Sequence, residues 1–317
     1  MPNHKPTHDL AIIGAGPAGL TAALYACREG LDVILLEKEI TGGKMITAEL
    51  IENFPGFPEG ISGSELGSNI LRQAEKFGLK VSNAEAIDIK FTLDGYKTLV
   101  TNNLENITAK AIIISTGSSP AKLSVDNEDH LRGRGVSYCA ICDGPLFRNV
   151  PVAVVGGGNS ALEEALFLTR FASKVYIIHR RKKLKADQIL KDRASQNKKI
   201  EVVFDSSVTG IIGSNKLEEI EVVNNIDNSK KLLRVNGLFI YIGAIPNTSF
   251  LPSFIQINEH GYIKTDRNLQ TSVTGVFAVG DVRETPLRQV ITAAADGALA
   301  ATMAYHYIEH LGISKFD

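Results

Sequence analysis

Two glycine-rich turns, each set between an apolar strand and a helix, constrain this chain more than any other feature. They are Gly14-Ala15-Gly16-Pro17-Ala18-Gly19 and Gly156-Gly157-Gly158-Asn159-Ser160-Ala161. Around the first, residues 9–13 (DLAII) read as a short strand, residues 17–28 as a helix and residues 32–36 as a second strand ending at Glu37. In such a βαβ unit the glycines serve a tight turn, the close approach of a pyrophosphate and helix–strand packing. The helix start turns free N–H groups and positive dipole character toward the phosphates. The pattern returns with a strand at 152–155, a turn at 156–158, a helix over 159–171 and a strand at 174–178. The predicted fold class is α/β, with two Rossmann-like three-layer nucleotide-binding domains.

The two units differ in charge at one position. Gly14 to Glu37 is 23 residues, and Gly156 to His179 is also 23, so His179-Arg180-Arg181 stands where the first unit has a carboxylate. Glu37 is placed to accept hydrogen bonds from ribose hydroxyls, and it would repel a 2′-phosphate. Guanidinium groups would hold that phosphate. The first unit is therefore expected to take an unphosphorylated adenosine (FAD), the second NADPH. A solvated basic turn is the bland reading of His179-Arg180-Arg181-Lys182-Lys183, and the shared offset counts against it.

A third segment belongs with the first. Residues 274–281 (TGVFAVGD) read as a buried strand ending in Gly280-Asp281, followed by a helical stretch from Leu287 to about His310. Such an aspartate can bond the ribityl chain of a flavin. The flavin domain is thus expected to comprise residues 1–119 and 247–317, with an NADPH domain, residues 120–246, inserted between prolines at the two crossings. A chain of 317 residues suits two domains. Its 44% hydrophobic and 22% charged residues, with a net charge of −1, suggest neither nucleic acid nor an anionic membrane as partner. No signal-peptide pattern and no membrane-length apolar run is apparent, so a cytosolic protein is expected.

Between the two glycine turns lies Cys139-Ala140-Ile141-Cys142-Asp143. The chain has three Cys, which argues against a structural disulfide framework in the cytosol. A zinc site would need two more ligands, and only Cys27 remains, inside the first nucleotide helix, where it reads as a small packing residue. The redox reading is the sharper one. One thiolate attacks an acceptor disulfide, its partner resolves the mixed disulfide, and the Asp143 carboxylate is placed to shuttle the proton.

With these motifs, the chain resembles the low-molecular-weight bacterial thioredoxin reductases. The resemblance runs nearly end to end: the first fingerprint, Gly42-Gly43, Glu52-Asn53-Phe54-Pro55-Gly56, Ser115-Thr116-Gly117, the Cys pair with Asp143, the second fingerprint with His179-Arg180-Arg181, and Gly280-Asp281 with Arg288-Gln289. It implies an FAD-containing homodimer passing reducing equivalents from NADPH to the disulfide of thioredoxin, with a rotating NADPH domain. It also implies that Cys142 faces the flavin and Cys139 attacks thioredoxin.

The FAD residues so implied are Gly14, Gly16, Pro17, Ala18, Gly19, Glu37, Lys38, Gly43, Lys44, Asn53, Thr116, Gly117, Gly280, Asp281, Arg288, Gln289 and Val290. Those for NADPH are Gly156, Gly157, Gly158, Asn159, Ser160, Glu163, His179, Arg180, Arg181, Lys185, Ile242 and Gly243. Arg134 and Leu146-Phe147 resemble the exposed positions with which the family docks thioredoxin; loop packing is the other reading. Lys44 departs from the family's usual Gln and Lys185 from its usual Arg. The runner-up function is a related flavin disulfide oxidoreductase with another dithiol partner or electron donor. A flavin-and-disulfide redox sensor without turnover is a further alternative.

Overall fold

The computed structural model describes residues 6–48, 50–92, 94–103 and 106–313. The chain falls into two compact units, Met1–Ser119 with Ile245–Asp317, and Pro120–Ala244. It lays down β1 (His8–Ile13), α1 (Pro17–Arg28), β2 (Val33–Glu37), α2 (Gly63–Glu75), β3 (Lys80–Asn83), β4 (Ala86–Phe91), β5 (Lys97–Thr101), β6 (Asn106–Ile114) and β7 (Ser118–Pro120). The inserted unit follows with β8 (Val136–Ser137), α3 (Ala140–Asp143), β9 (Pro151–Gly156), α4 (Asn159–Leu168), β10 (Lys174–Ile178), α5 (Gln188–Gln196) and β11 (Ile200–Val203). It is completed by β12 (Ser206–Ile212), β13 (Glu219–Asn224), β14 (Lys230–Arg234) and β15 (Gly237–Tyr241). The return is β16 (Ala244–Pro246), β17 (Val276–Ala278) and α6 (Val290–Ile313).

In the first unit, β3, β2, β1 and β6 run parallel, and β5 and β4 continue the sheet antiparallel. β6 pairs with β1 along one edge and with two strands along the other: residues 106–109 pair with β5, while Ile112–Ile114 pair with β17. The final segment thus completes the sheet that the first segment began. The middle strands are buried on both faces, which explains their unbroken apolar runs. One face packs on α1, α2 and α6, and the other on β4, β5 and the segment around Ile255 and Ile263. Cys27 lies in the first of these cores, free and buried, as expected of a packing residue.

The second unit holds a parallel sheet in the order β11-β10-β9-β15-β8. One face carries α4 and α5; the other carries the antiparallel sheet β12-β13-β14. The chain enters and leaves this unit through β7 and β16, which pair as a two-stranded ribbon.

Both βαβ units form as the sequence predicts, their strands to within a residue at each end; larger boundary shifts occur at α4, β17 and α6. α4 stops at Leu168, since Thr169, Arg170 and Phe171 close tighter turns onto Leu166, Phe167 and Leu168. There Lys199 Nζ donates to the carbonyls of Thr169 and Ala172 at 2.7 and 3.0 Å and caps the end. The strand predicted at 274–281 shortens to β17, with residues 280–282 in a 3-10 turn. α6 begins at Val290, because the Thr292 hydroxyl holds the preceding turn through Leu287 and Gln289.

Candidate active site: two glycine turns and a redox turn

The first glycine turn is built by steric exclusion. Gly14 has φ +100°, and a Cβ there would stand 2.6 Å from the Ser115 carbonyl oxygen. A Cβ on Gly19 would stand 1.9 Å from the Gly14 oxygen, so the helix seats directly on the turn. Around a Cβ at Gly16 there would be open space, which leaves the backbone approachable from outside. α1 starts with Gly16 at its N-cap, Pro17 in its first turn and no side chain bonded to its free N–H groups. Glu37, at the end of β2, accepts from the N–H of Ala15 at 2.8 Å and of Glu39 at 2.9 Å. Its neighbour Lys38 points to Glu85 at 3.0 Å.

Distant segments converge on this turn. Gly42 N–H donates to the Ala15 carbonyl at 2.7 Å, and a Cβ on Gly43 would stand 2.9 Å from Gly16 Cα. Lys44 Nζ reaches Ser118 Oγ at 2.7 Å and the Asp281 carboxylate at 3.2 Å. Gly280 sits against Ala18, the distance from its would-be Cβ being 3.1 Å. Asn53 donates to Gln289 at 3.0 Å, Thr116 and Asn247 exchange hydrogen bonds at 2.8 Å, and Asn247 N–H bonds the Gly117 carbonyl. Arg288 lies over the Tyr262 ring at 4.2 Å, while Val290 packs on the core under α1. Sequence reasoning missed Arg283 and Asp296. Asp296 accepts from Arg283 at 2.7 and 3.0 Å and from Gly280 N–H at 3.0 Å, fixing the turn that carries Asp281.

The second turn repeats the design with one difference. A Cβ on Gly157 would stand 2.3 Å from His179 Nδ1. His179 is therefore not a partner of Arg180 and Arg181 at the surface: its ring is buried against Gly157. Its Nε2 bonds the Lys183 carbonyl at 3.0 Å, and a carbonyl only accepts, so that nitrogen carries the proton. The ring shapes the loop that displays Arg180, Arg181 and Lys185, all exposed. The backbone N–H groups of Lys185 and Ala186 bond the Gly157 carbonyl, and Asn159 and Asp187 exchange two bonds of 2.7 and 2.8 Å. Gly158, Ser160 and Glu163 line the exposed side of the start of α4. Ile242 is half-exposed, and Gly243, with φ +141°, accepts from Ala121 N–H.

The redox turn belongs to the same unit. β8 lies parallel beside β15, with Val136 opposite Leu238 and Ser137 opposite Phe239. Ser137 Oγ accepts from Cys139 N–H at 3.0 Å and lies 3.2 Å from the Cys139 carbonyl, which clamps the residue. Cys139 and Cys142 form a disulfide with Cα atoms 5.4 Å apart, and Cys142 N–H donates to Cys139 Sγ at 3.2 Å. Asp143 follows, partly exposed, its N–H bonded to the Cys139 carbonyl. Before the pair, the Tyr138 hydroxyl donates to buried Glu128, which also accepts from the N–H of Leu123 and Ser124. Tyr138 is held well above the usual phenol range by burial and this carboxylate. Behind the turn, the Tyr241 hydroxyl accepts from Ala140 N–H at 2.9 Å.

The expected docking residues divide. Arg134 and Leu146 are exposed, Leu146 to 77%. Phe147 is partly buried: its ring packs edge-on against Phe239 at 5.4 Å and fills the space above Gly237, as the loop-packing reading has it.

Residues 8–297 match the family model for pyridine nucleotide-disulphide oxidoreductases. The chain is 45% identical to a thioredoxin reductase of Listeria innocua over 314 residues, 98% of this chain and 97% of that one. It is 44% identical to the thioredoxin reductase of Bacillus subtilis over 312 residues, with the same coverage. Among solved structures, the thioredoxin reductase of Lactococcus lactis superposes with a TM-score of 0.93 at 40% identity, covering 96% of this chain and all of that one. A disulfide two strands away from a glycine turn in one α/β unit, and a full-length match to a family named for that chemistry, give one conclusion: the chain belongs to the pyridine nucleotide-disulphide oxidoreductases.

Proposed function

We propose that the chain is an NADPH-dependent thioredoxin reductase that carries FAD in the unit of its two terminal segments and NADPH in the inserted unit. The observation that carries this reading is the Cys139–Cys142 disulfide, built into the unit that also bears a glycine turn with a basic loop. The full-length likeness to proteins named thioredoxin reductase supports the choice of substrate.

The residues fit the groups. Open space at Gly16 and the uncapped start of α1 suit a pyrophosphate, and Glu37 keeps acceptor capacity for ribose hydroxyls beyond its two backbone bonds. Lys44, Asp281, Gly43, Asn53, Thr116, Gly117, Gly280, Arg288, Gln289 and Val290 are the remaining candidates for the flavin. Gly158, likewise open, and the exposed Arg180, Arg181 and Lys185 suit the phosphates of NADPH. When bound, FAD supplies two-electron chemistry between a nicotinamide and a disulfide. The flavin-side partner is Cys142, and Cys139 is the attacking thiolate. Its sulfur forms a bond to one sulfur of thioredoxin, and the other leaves as thiolate and takes a proton, for which Asp143 is the donor. Cys142 then attacks Cys139, the internal disulfide closes again, and the second thioredoxin sulfur is released. The hydrogen bond from Cys142 N–H to Cys139 Sγ suits a thiolate at Cys139.

A homodimer and a cytoplasmic location are part of this reading, and Arg134 with Leu146 is its docking patch for thioredoxin. Light scattering tests the dimer. The central test is turnover of NADPH with thioredoxin by purified yellow protein, alone and as Cys142→Ser or Cys139→Ser. Both variants are expected to keep flavin reduction by NADPH and to lose thioredoxin reduction. A variant lacking either sulfur that still reduces thioredoxin overturns the assignment.

A further inference from the structure

Tyr241 belongs to two turns at once. Its backbone pairs with Gly156, where a Cβ would stand 2.4 Å from the Tyr241 carbonyl oxygen. Its hydroxyl accepts the N–H of Ala140, the residue after Cys139. The ring therefore reaches from the second glycine turn to the inner side of the redox turn. Glu164 lies on α4, which packs against both α3 and the strand β15 that carries Tyr241, and its charge is felt at the Tyr241 hydroxyl. Glu164 Oε2 is buried and has no hydrogen-bond partner, the one such side-chain atom among the described residues. A buried acceptor left unpaired costs free energy. Neither the nucleotide sites nor the sulfur exchange described above uses it.

The charges acting here share one sign. Glu163 acts on Glu164, and both Glu164 and Asp143 act on Tyr241; burial, ahead of Glu163, pushes the Glu164 acid up to about 7. The other elements packed on α4 bring Lys174 and Tyr176 from β10, Lys191, Asp192 and Arg193 from α5, and no titratable side chain from β9. Lys174 is engaged by Glu201 at 2.6 Å.

We propose that Tyr241 and Glu164 are positioning residues for the disulfide chemistry: the hydroxyl fixes the start of α3, and the carboxylate sets how readily the opened pair carries a thiolate. The inference rests on the disulfide-exchange reading above. Reduction breaks the S–S bond, adds two electrons supplied through NADPH, and leaves two sulfurs that take up protons from solvent. A carboxylate close to the turn disfavours the thiolate relative to the thiol. The Ala140 N–H, turned to Tyr241, is likewise committed away from the sulfurs.

The test uses full-length, FAD-loaded protein with the pair reduced anaerobically. Iodoacetamide alkylation of Cys139 and Cys142 is followed by mass spectrometry from pH 6 to 9, and the disulfide is equilibrated with a glutathione redox buffer. Glu164→Gln is expected to move the alkylation midpoint to lower pH and to raise the rate at pH 7 at least threefold, with Glu164→Asp returning toward wild type. Tyr241→Phe keeps the ring and is expected to change the ratio of the two alkylation rates. Rates and equilibrium within twofold of wild type in Glu164→Gln overturn the role of the carboxylate. If that variant loses its flavin, an unchanged ratio in Tyr241→Phe overturns the proposal instead. A wild-type pair that does not equilibrate with glutathione overturns the disulfide-exchange reading as well, which separates the two failures.

Discussion

Lys97 is 2% exposed, and among the described residues its hydrogen-bond partners are neutral oxygens. Its ammonium donates to the Lys110 carbonyl and the Tyr307 hydroxyl, both at 2.8 Å, and lies 4.6 Å from the centre of the Tyr307 ring. Burial lowers its pKa to about 8. Between that value and the ordinary lysine value near 10.5, the unfolded chain binds the extra proton, so stability rises with pH across this window. The gain amounts to roughly 3–4 kcal/mol at most, taking ~1.4 kcal/mol per pKa unit. Urea unfolding at pH 7.5, 8.5 and 9.5 should show that rise in wild type and a flatter dependence in Lys97→Met. Cys27 is the opposite case, a thiol pushed up to about 11 by burial, ahead of the Asp32 charge. Native protein reduced with NADPH should therefore alkylate at two cysteines at pH 8, and Cys27 should react only after denaturation.

At the scale of elements, each glycine turn depends on what stands behind it. Gly157 is glycine because the His179 ring occupies the place of its Cβ. Gly157→Ala should displace the basic loop and raise KM for NADPH on the order of tenfold, equivalent to ~1.4 kcal/mol. The double variant with His179→Ala should recover part of this, since it clears the space. In the first unit, Asp296 holds both Arg283 and the turn at Gly280. Arg283→Gln, which breaks the paired bond, should lower FAD retention after gel filtration while leaving NADPH-unit residues unaffected. The glycine turns, strands and helices were legible because their signals are local: apolar periodicity, a turn residue and a helix start within about 30 residues. Arg283 and Asp296 were not, because a charge near a helix face carries no mark of its partner. Phe147 stayed open between docking and loop packing for a related reason. An aromatic in a loop looks the same in sequence whether it faces solvent or, as here, fills the space over Gly237.

At the scale of the whole chain, the Glu37 carboxylate and the Arg180-Arg181 pair sort the two cofactors by charge in the proposed function. Replacing Arg180 and Arg181 together by Gln should reduce kcat/KM for NADPH at least roughly 10- to 100-fold, the equivalent of losing one charged hydrogen bond of ~1.5–3 kcal/mol. The value for NADH should change little, which would leave the two donors nearly equal. A parallel loss with NADH would place the defect in loop folding instead. The inserted arrangement itself follows from β6, whose second half must receive β17 from the far end of the chain.

The amino-acid sequence by itself determined the two βαβ units, the charge contrast between them and the redox pair, all of which are written in short-range spacing. Tertiary structure alone decided what surrounds them. Lys44 and Asp281 are 237 residues apart, Asn53 and Gln289 are 236 apart, and Ala140 and Tyr241 are 101 apart. Such contacts exist only after parallel strands have closed their crossovers, so no local pattern of side chains can encode which residues will meet.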